Sequence, residues 1–270
     1  MFQSKIEKGE IADCPFVRFG GGTEKIVIFP LINDALFSAT EVDWYFRNLF
    51  SGISRDYSIY VISRKRNLSL GYSTQDMAED YARVFESANF GAVNVLGISL
   101  GGMIAQIFAH DYPQYVKRLV IVSSAHHMSP EGLNIARRWI PWTKKGMWRE
   151  IYEETVRISF QRVYRIVLRL AEAFAVSYLK KNITSARAND FIISGHAGVL
   201  HDSTDLLAKL EMPVLVMGGT EDPFFYESIF QEMTEKILHC ERVSFQGARH
   251  LVLDEGKRKG IQAIAAFLKR

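Results

Sequence analysis

Ser99, Asp222 and His250 are the residues of this chain whose types and surroundings fit one piece of chemistry, the activation of an alcohol as a nucleophile. A serine hydroxyl is weakly nucleophilic at neutral pH. It needs an imidazole to take its proton and a carboxylate to orient that imidazole. Ser99 stands in Gly97-Ile98-Ser99-Leu100-Gly101, the pattern G-x-S-x-G. By composition alone such a pattern turns up in about one chain in ten of this length, so the flanks decide its meaning. Val93, Val95 and Leu96 read as a buried strand, and Met103, Ile104, Ile107 and Phe108 recur at helical spacing until Tyr112-Pro113 ends the pattern. A serine at the tip of a sharp strand-to-helix turn needs small neighbours on both sides, which Gly97 and Gly101 supply. The turn also aims the first N–H of the helix, that of Leu100, at the carbon where negative charge develops during acyl transfer.

The carboxylate and the imidazole follow in the expected places. Pro213-Val214-Leu215-Val216-Met217 reads as a buried strand, and the loop Gly218-Gly219-Thr220-Glu221-Asp222-Pro223 offers Asp222 just past its carboxyl end. Glu-Asp-Pro is also an ordinary turn sequence, and Glu221 is the alternative acid if the register differs by one. Arg242-Val243-Ser244-Phe245 is a further short strand, after which Gly247-Ala248-Arg249-His250 precedes a terminal helix ending in Ala263-Ile264-Ala265-Ala266-Phe267-Leu268.

The chain order Ser99, Asp222, His250, the glycine-flanked serine and the two Gly-x-x-Asp and Gly-x-x-His loops together resemble the α/β-hydrolase fold superfamily, with an inserted cap. The likeness covers nearly the whole length. It implies a serine hydrolase that cleaves a carboxylic ester or related acyl compound. His250 would act as base, Asp222 as its orienting acid, and the backbone N–H groups of Leu100 and Ile32 as the oxyanion hole. Acyl transfer, C–C bond hydrolysis and a non-hydrolytic ligand receptor are the alternatives the same fold hosts. One departure matters. Where the family's first core strand runs into His-Gly, this chain reads Phe29-Pro30-Leu31-Ile32-Asn33-Asp34. Leu31 cannot adopt positive φ cheaply, so an unusual loop path is expected, with Asn33 and Asp34 as turn formers.

Positioning three such groups requires a scaffold. Strands at about 4–6, 16–19, 25–29, 58–62, 93–96, 119–122, 213–217 and 242–245 alternate with helices at about 38–54 and 74–88 and after Ser99. The expected architecture is an α/β fold, a mostly parallel sheet covered on both faces, with the site at the strands' carboxyl ends. Gly20-Gly21-Gly22 reads as a hairpin turn between early strands, not as a phosphate loop. At 270 residues and 48% hydrophobic, one large core suffices, at 1–124 and 209–270, with a cap at 125–208.

The insert reads as helical, with Tyr152, Val156, Phe160, Val163, Val167, Leu170 and Phe174 spaced by three and four. Such a face is expected to pack over the sheet edge, with Leu31, His126, Trp142 and Phe160 lining the substrate pocket. Trp139, Trp142 and Trp148 suit cap packing and an acyl pocket equally. Residues 126–200 hold twelve Lys or Arg against six Asp or Glu. Arg162, Arg165 and Arg169 share one helical face, a solvated one or one that attracts an anionic or lipid-like substrate.

Other classes find little support. A net charge of +3 is too mild for a nucleic-acid partner. No apolar run is long enough to span a membrane and the first residues lack a signal-peptide core, so the expected location is the cytoplasm. The two cysteines, Cys14 and Cys240, have no metal-ligand spacing. His126 and His127 are adjacent and would point apart on a regular element, so neither a metal nor a cofactor is expected.

Overall fold

The computed structural model describes residues 6–270 and contains one eight-stranded sheet. Its strands are β1 (Glu7–Ile11), β2 (Cys14–Phe19), β3 (Glu24–Phe29), β4 (Tyr57–Ile62), β5 (Val93–Ile98), β6 (Val116–Val122), β7 (Val214–Gly219) and β8 (Cys240–Phe245). They lie in the order β1-β2-β4-β3-β5-β6-β7-β8. β2 pairs antiparallel with β1 and β4, and every later pair is parallel. The central parallel strands are apolar over most of their length because both faces are covered, whereas the edge strand β8 is half exposed. Val27 and Phe29 join one core with Tyr81, Phe85 and Phe108, while Ile26 and Ile28 join the other with Phe46, Phe50 and Ile264.

The helices that clothe the two faces include α1 (Asp43–Leu49), α2 (Thr74–Ser87) and α3 (Leu100–Asp111). Ser73 and Asp76 close a reciprocal capping box that fixes where α2 begins. Between β6 and β7 the chain forms the helical cap: α4 (Pro130–Lys144), α5 (Trp148–Ser159), α6 (Arg162–Leu170), α7 (Glu172–Asn182) and α8 (Ser185–Leu200). After β7 come α9 (Glu227–Lys236), then α10 (Val252–Glu255) and the terminal α11 (Lys257–Leu268). Among the described residues, no helix is long and apolar enough to cross a membrane.

Several local expectations are corrected. The strand expected at 4–6 falls largely outside the described residues, and β1 occupies 7–11. The hairpin lies between β1 and β2, where Ala12 and Asp13 take φ of 47° and 64°. Gly20-Gly21-Gly22 leads instead from β2 to β3, which are not neighbours. The helix expected over 38–54 shortens to α1, because Ser38 turns its hydroxyl and N–H onto the Glu41 carboxylate and holds the preceding segment in a tight polar turn.

The apolar series from Tyr152 to Phe174 does not form one buried face. It is divided among α5, α6 and α7, and Val167, Leu170 and Phe174 stand 64%, 85% and 77% exposed. The break has a tertiary cause. Ile158 and Ser159 lend their carbonyls to the N–H groups of His250 and Leu251, and Gln161 bonds the Glu255 carboxylate and the Gly247 carbonyl. That pinning ends α5 and turns α6 over. Arg165 and Arg169 of α6 consequently face a crevice shared with Glu150, Glu153, Glu154 and Glu172.

Candidate active site

Ser99 sits between β5 and α3 with φ 53° and ψ −120°, a conformation unfavourable for a residue with a side chain. Its surroundings enforce it. A methyl group on Gly101 would lie 2.0 Å from the Phe29 carbonyl oxygen, and one on Gly97 would lie 2.5 Å from the Gly101 oxygen. The serine N–H donates to Val122 O of β6 at 2.9 Å, and its carbonyl accepts from Gly102 N at 2.8 Å. The elbow is therefore locked between two strands and the helix it starts.

His250 Nε2 lies 2.9 Å from Ser99 Oγ, and His250 Nδ1 lies 2.9 Å from Asp222 Oδ2. Asp222 is buried at the end of β7, and its second oxygen, Oδ1, accepts the N–H groups of Phe224 at 2.8 Å and Phe225 at 3.3 Å. Those bonds leave one carboxylate oxygen for one imidazole nitrogen. Glu221 is 61% exposed in its side chain and turns to Arg249, so Asp222 is the carboxylate in contact with His250. Phe224 and Phe225 wall the imidazole at ring separations of 4.8 and 5.9 Å. The backbone of His250 is held by Ile158 of the cap at 3.2 Å. A hydroxyl, imidazole and carboxylate in this series can pass the hydroxyl proton to the imidazole while the carboxylate stabilises the resulting cation.

Leu31 takes ordinary extended backbone, φ −66° and ψ 175°, so no glycine is required there. Ile32 then opens a short 3-10 turn and Leu100 opens α3, so neither N–H has an acceptor within its own helix. Both residues line the cavity that contains Ser99 and His250. The loop is held by Arg64, a buried side chain whose guanidinium donates to the carbonyls of Pro30 at 3.0 Å, Leu31 at 3.3 Å and Ile32 at 3.1 Å. Asp34 is a turn former, as expected, and its carboxylate accepts the Arg64 N–H at 2.9 Å. Arg64 escapes sequence reasoning because it heads a run of three basic residues, Arg64-Lys65-Arg66, and nothing local says which one is buried.

Arg64 is a positioning residue by this geometry. Arg64→Lys keeps the charge but loses the fork that spans three carbonyls. It is expected to lower kcat by up to about 10²-fold with little change in KM, the effect of misplacing a backbone donor by about 1 Å. Wild-type kcat in a folded Arg64→Lys protein would remove the loop from the mechanism.

The cavity measures about 50 Å³ and is almost wholly apolar. The cap contributes Ala136, Trp139, Ile140, Ile158 and Phe191, and the core contributes Leu31, Leu100 and Met103. Of the expected lining residues, Leu31 is there. Trp142 instead borders the acidic crevice beside α6, and Phe160 borders an adjoining apolar groove with Trp44, Tyr45 and Phe37, on the far side of Leu31 and Leu251. The reason is again the pinned segment after Ile158, which turns Phe160 out of helical register. His126 is enclosed elsewhere, between the exit of β6 and α9, where burial beside His127 lowers its pKa to about 4. Ser194 of α8 was not anticipated. It lines the cavity, is fully buried, and its hydroxyl has no hydrogen-bond partner. Thr155, which lines the same cavity, donates its hydroxyl to Ile151 O one helical turn back.

Comparison with known proteins matches residues 46–257 to the family described as alpha/beta hydrolase fold. The chain is 28% identical over 158 residues to the poly(3-hydroxyalkanoate) depolymerase of Ectopseudomonas oleovorans, a match that spans 56% of this chain and 52% of that protein. Among solved structures it is similar to MGS-M2, an alpha/beta hydrolase enzyme from a Medee basin deep-sea metagenome library, with a TM-score of 0.82 at 20% identity over 98% of both chains. The enol-lactonase from Burkholderia xenovorans LB400 superposes with a TM-score of 0.80 at 14% identity, covering 98% of this chain and 100% of the other.

Proposed function

The chain belongs to the alpha/beta hydrolase fold family, and from that premise we propose that it is a serine hydrolase of short-chain carboxylic esters working through an acyl-enzyme on Ser99. The observation that carries this reading is the continuous hydrogen-bonded series Ser99 Oγ, His250, Asp222, with a strained serine at its head. His250 takes the hydroxyl proton as Ser99 Oγ attacks the ester carbon, then delivers it to the departing alkoxide. The Leu100 and Ile32 N–H groups hold the oxyanion. Water, deprotonated by the same imidazole, releases the acid and regenerates the hydroxyl.

Cavity size argues for a small acyl group. The cavity of about 50 Å³, closed over by apolar cap residues, favours a short acyl chain over a long one. Ser194 supplies a buried hydroxyl of the cap lining with no hydrogen-bond partner, suited to an oxygen substituent on the acyl chain. A short 3-hydroxyacyl ester meets both requirements. The depolymerase to which the chain is similar is named for poly(3-hydroxyalkanoate), a polymer of 3-hydroxy acids of no stated chain length.

The test is an acyl series of p-nitrophenyl esters. The value of kcat/KM is expected to peak at two to about four carbons and to fall several-fold with each added pair, since one methylene in an apolar pocket is worth about 1–3 kcal/mol. Ile140→Ala, which deepens the cavity, moves the peak to longer chains. No turnover of any member, together with no labelling of Ser99 by a fluorophosphonate probe, would overturn the reading.

A further inference from the structure

His126 and His127 leave β6 on an irregular turn, so the rule that neighbours on a regular element point apart does not govern them. Their rings instead meet edge to face, with centroids 4.4 Å apart and planes at 78°. His126 is completely enclosed, yet neither of its ring nitrogens has a hydrogen-bond partner. A buried polar group left in that state costs about 1–3 kcal/mol. Its Nε2 lies 3.7 Å from Glu232 Oε1 of α9, too long for a hydrogen bond, and the same oxygen lies 3.7 Å from Lys236 Nζ, which an ion at this point would displace. His127 has Nδ1 3.0 Å from the Met128 carbonyl oxygen, an acceptor only, so Nδ1 donates there and Nε2 is the nitrogen left to a ligand. An imidazole held by a backbone carbonyl on one nitrogen and free on the other is the usual arrangement of a metal ligand. One ligand atom from each of His126, His127 and Glu232 lies within 4.8 Å of the other two.

We propose that His126, His127 and Glu232 form a binding site for one divalent transition-metal ion of the zinc type, separate from the Ser99 cavity. Three atoms no more than 4.8 Å apart all lie within about 2.8 Å of a common point, so an inward shift of about 0.7 Å gives zinc–ligand bonds. The exposed Glu232 side chain and the half-buried His127 can supply that shift. Two imidazoles and one carboxylate select zinc or a similar borderline ion over magnesium or calcium, which prefer all-oxygen shells. Solvent completes the coordination.

The position gives the ion a structural task. His126 stands where the chain leaves the sheet for the cap, and its carbonyl accepts the Ser203 N–H at 3.0 Å where the chain returns. Glu232 belongs to α9, which follows the Asp222 loop. A metal at this point fastens the root of the cap to the core without touching Ser99, Asp222 or His250.

The experiment titrates zinc chloride into chelator-treated protein by calorimetry and follows thermal unfolding with and without the ion. Wild type is expected to bind one equivalent and to unfold at a higher temperature when loaded. His127→Ala and Glu232→Gln, both at solvent-reached positions, should each weaken binding about tenfold or more and abolish the thermal shift, since losing even an outer-shell partner costs about 10–100-fold. Their turnover of short esters should stay at the wild-type level. Absence of binding by wild type overturns the proposal, as does equal affinity in both variants, which would place the ion elsewhere. Magnesium chloride producing the same shift would overturn the choice of ion class.

Discussion

Ser99→Ala is expected to abolish ester turnover, leaving at most a residue about 10⁶-fold below wild type, while the melting temperature stays the same or rises slightly. Loss of the nucleophile removes the covalent route entirely, and the oxyanion donors alone then have only water to work with. The fold tolerates the change because alanine is smaller than serine and the elbow is fixed by backbone bonds to Val122 and Gly102, which do not involve the hydroxyl. The strained φ of 53° persists in the variant, so its stability reports on the side chain alone. Steady-state rates on a p-nitrophenyl ester, set beside a thermal melt, decide the matter. Turnover within a few-fold of wild type would assign the chemistry to another residue.

Asp222→Asn should reduce kcat by about 10³ to 10⁴-fold, with substrate binding little affected. The local hydrogen bonds explain why the amide is a poor substitute. Asp222 Oδ1 accepts two backbone N–H groups, from Phe224 and Phe225, so in the variant the amide oxygen must take that place. The NH₂ group is then directed at His250 Nδ1 and can only donate. That favours the tautomer with the proton on Nε2, which faces Ser99 and leaves no lone pair to accept the hydroxyl proton. Turning the amide over instead sets NH₂ against two N–H donors. Glu221→Gln should change kcat less than twofold, because that side chain is exposed and faces Arg249. A reversal of the two results would move the acid to Glu221. A purely structural role for Asp222 would appear as a lowered melting temperature with kcat intact.

The meeting of Ser99, Asp222 and His250 was legible in the sequence because local rules governed each of them. A serine between glycines at a strand-to-helix junction, a carboxylate just after one apolar strand and a histidine just after the next are short-range patterns. The parallel, two-faced sheet then carries all three to one edge. Strand and helix periodicity likewise located the parallel strands and α2 to within a few residues, since each buries a face whose spacing is fixed by its own backbone geometry. Where two chain segments distant in sequence compete for the same groups, local reading fails. The apolar series through Tyr152, Phe160 and Phe174 has helical spacing throughout, but the carbonyls of Ile158 and Ser159 are claimed by His250 and Leu251, some ninety residues on. The helix ends there, Phe160 leaves the cavity, and Leu170 and Phe174 turn to solvent. The buried fork of Arg64 under Pro30-Leu31-Ile32 and the meeting of His126 with Glu232 arise in the same way. Each joins groups that only the closed sheet and cap bring within reach, because a hydrogen bond or ligand bond acts over about 3 Å and carries no trace along the chain.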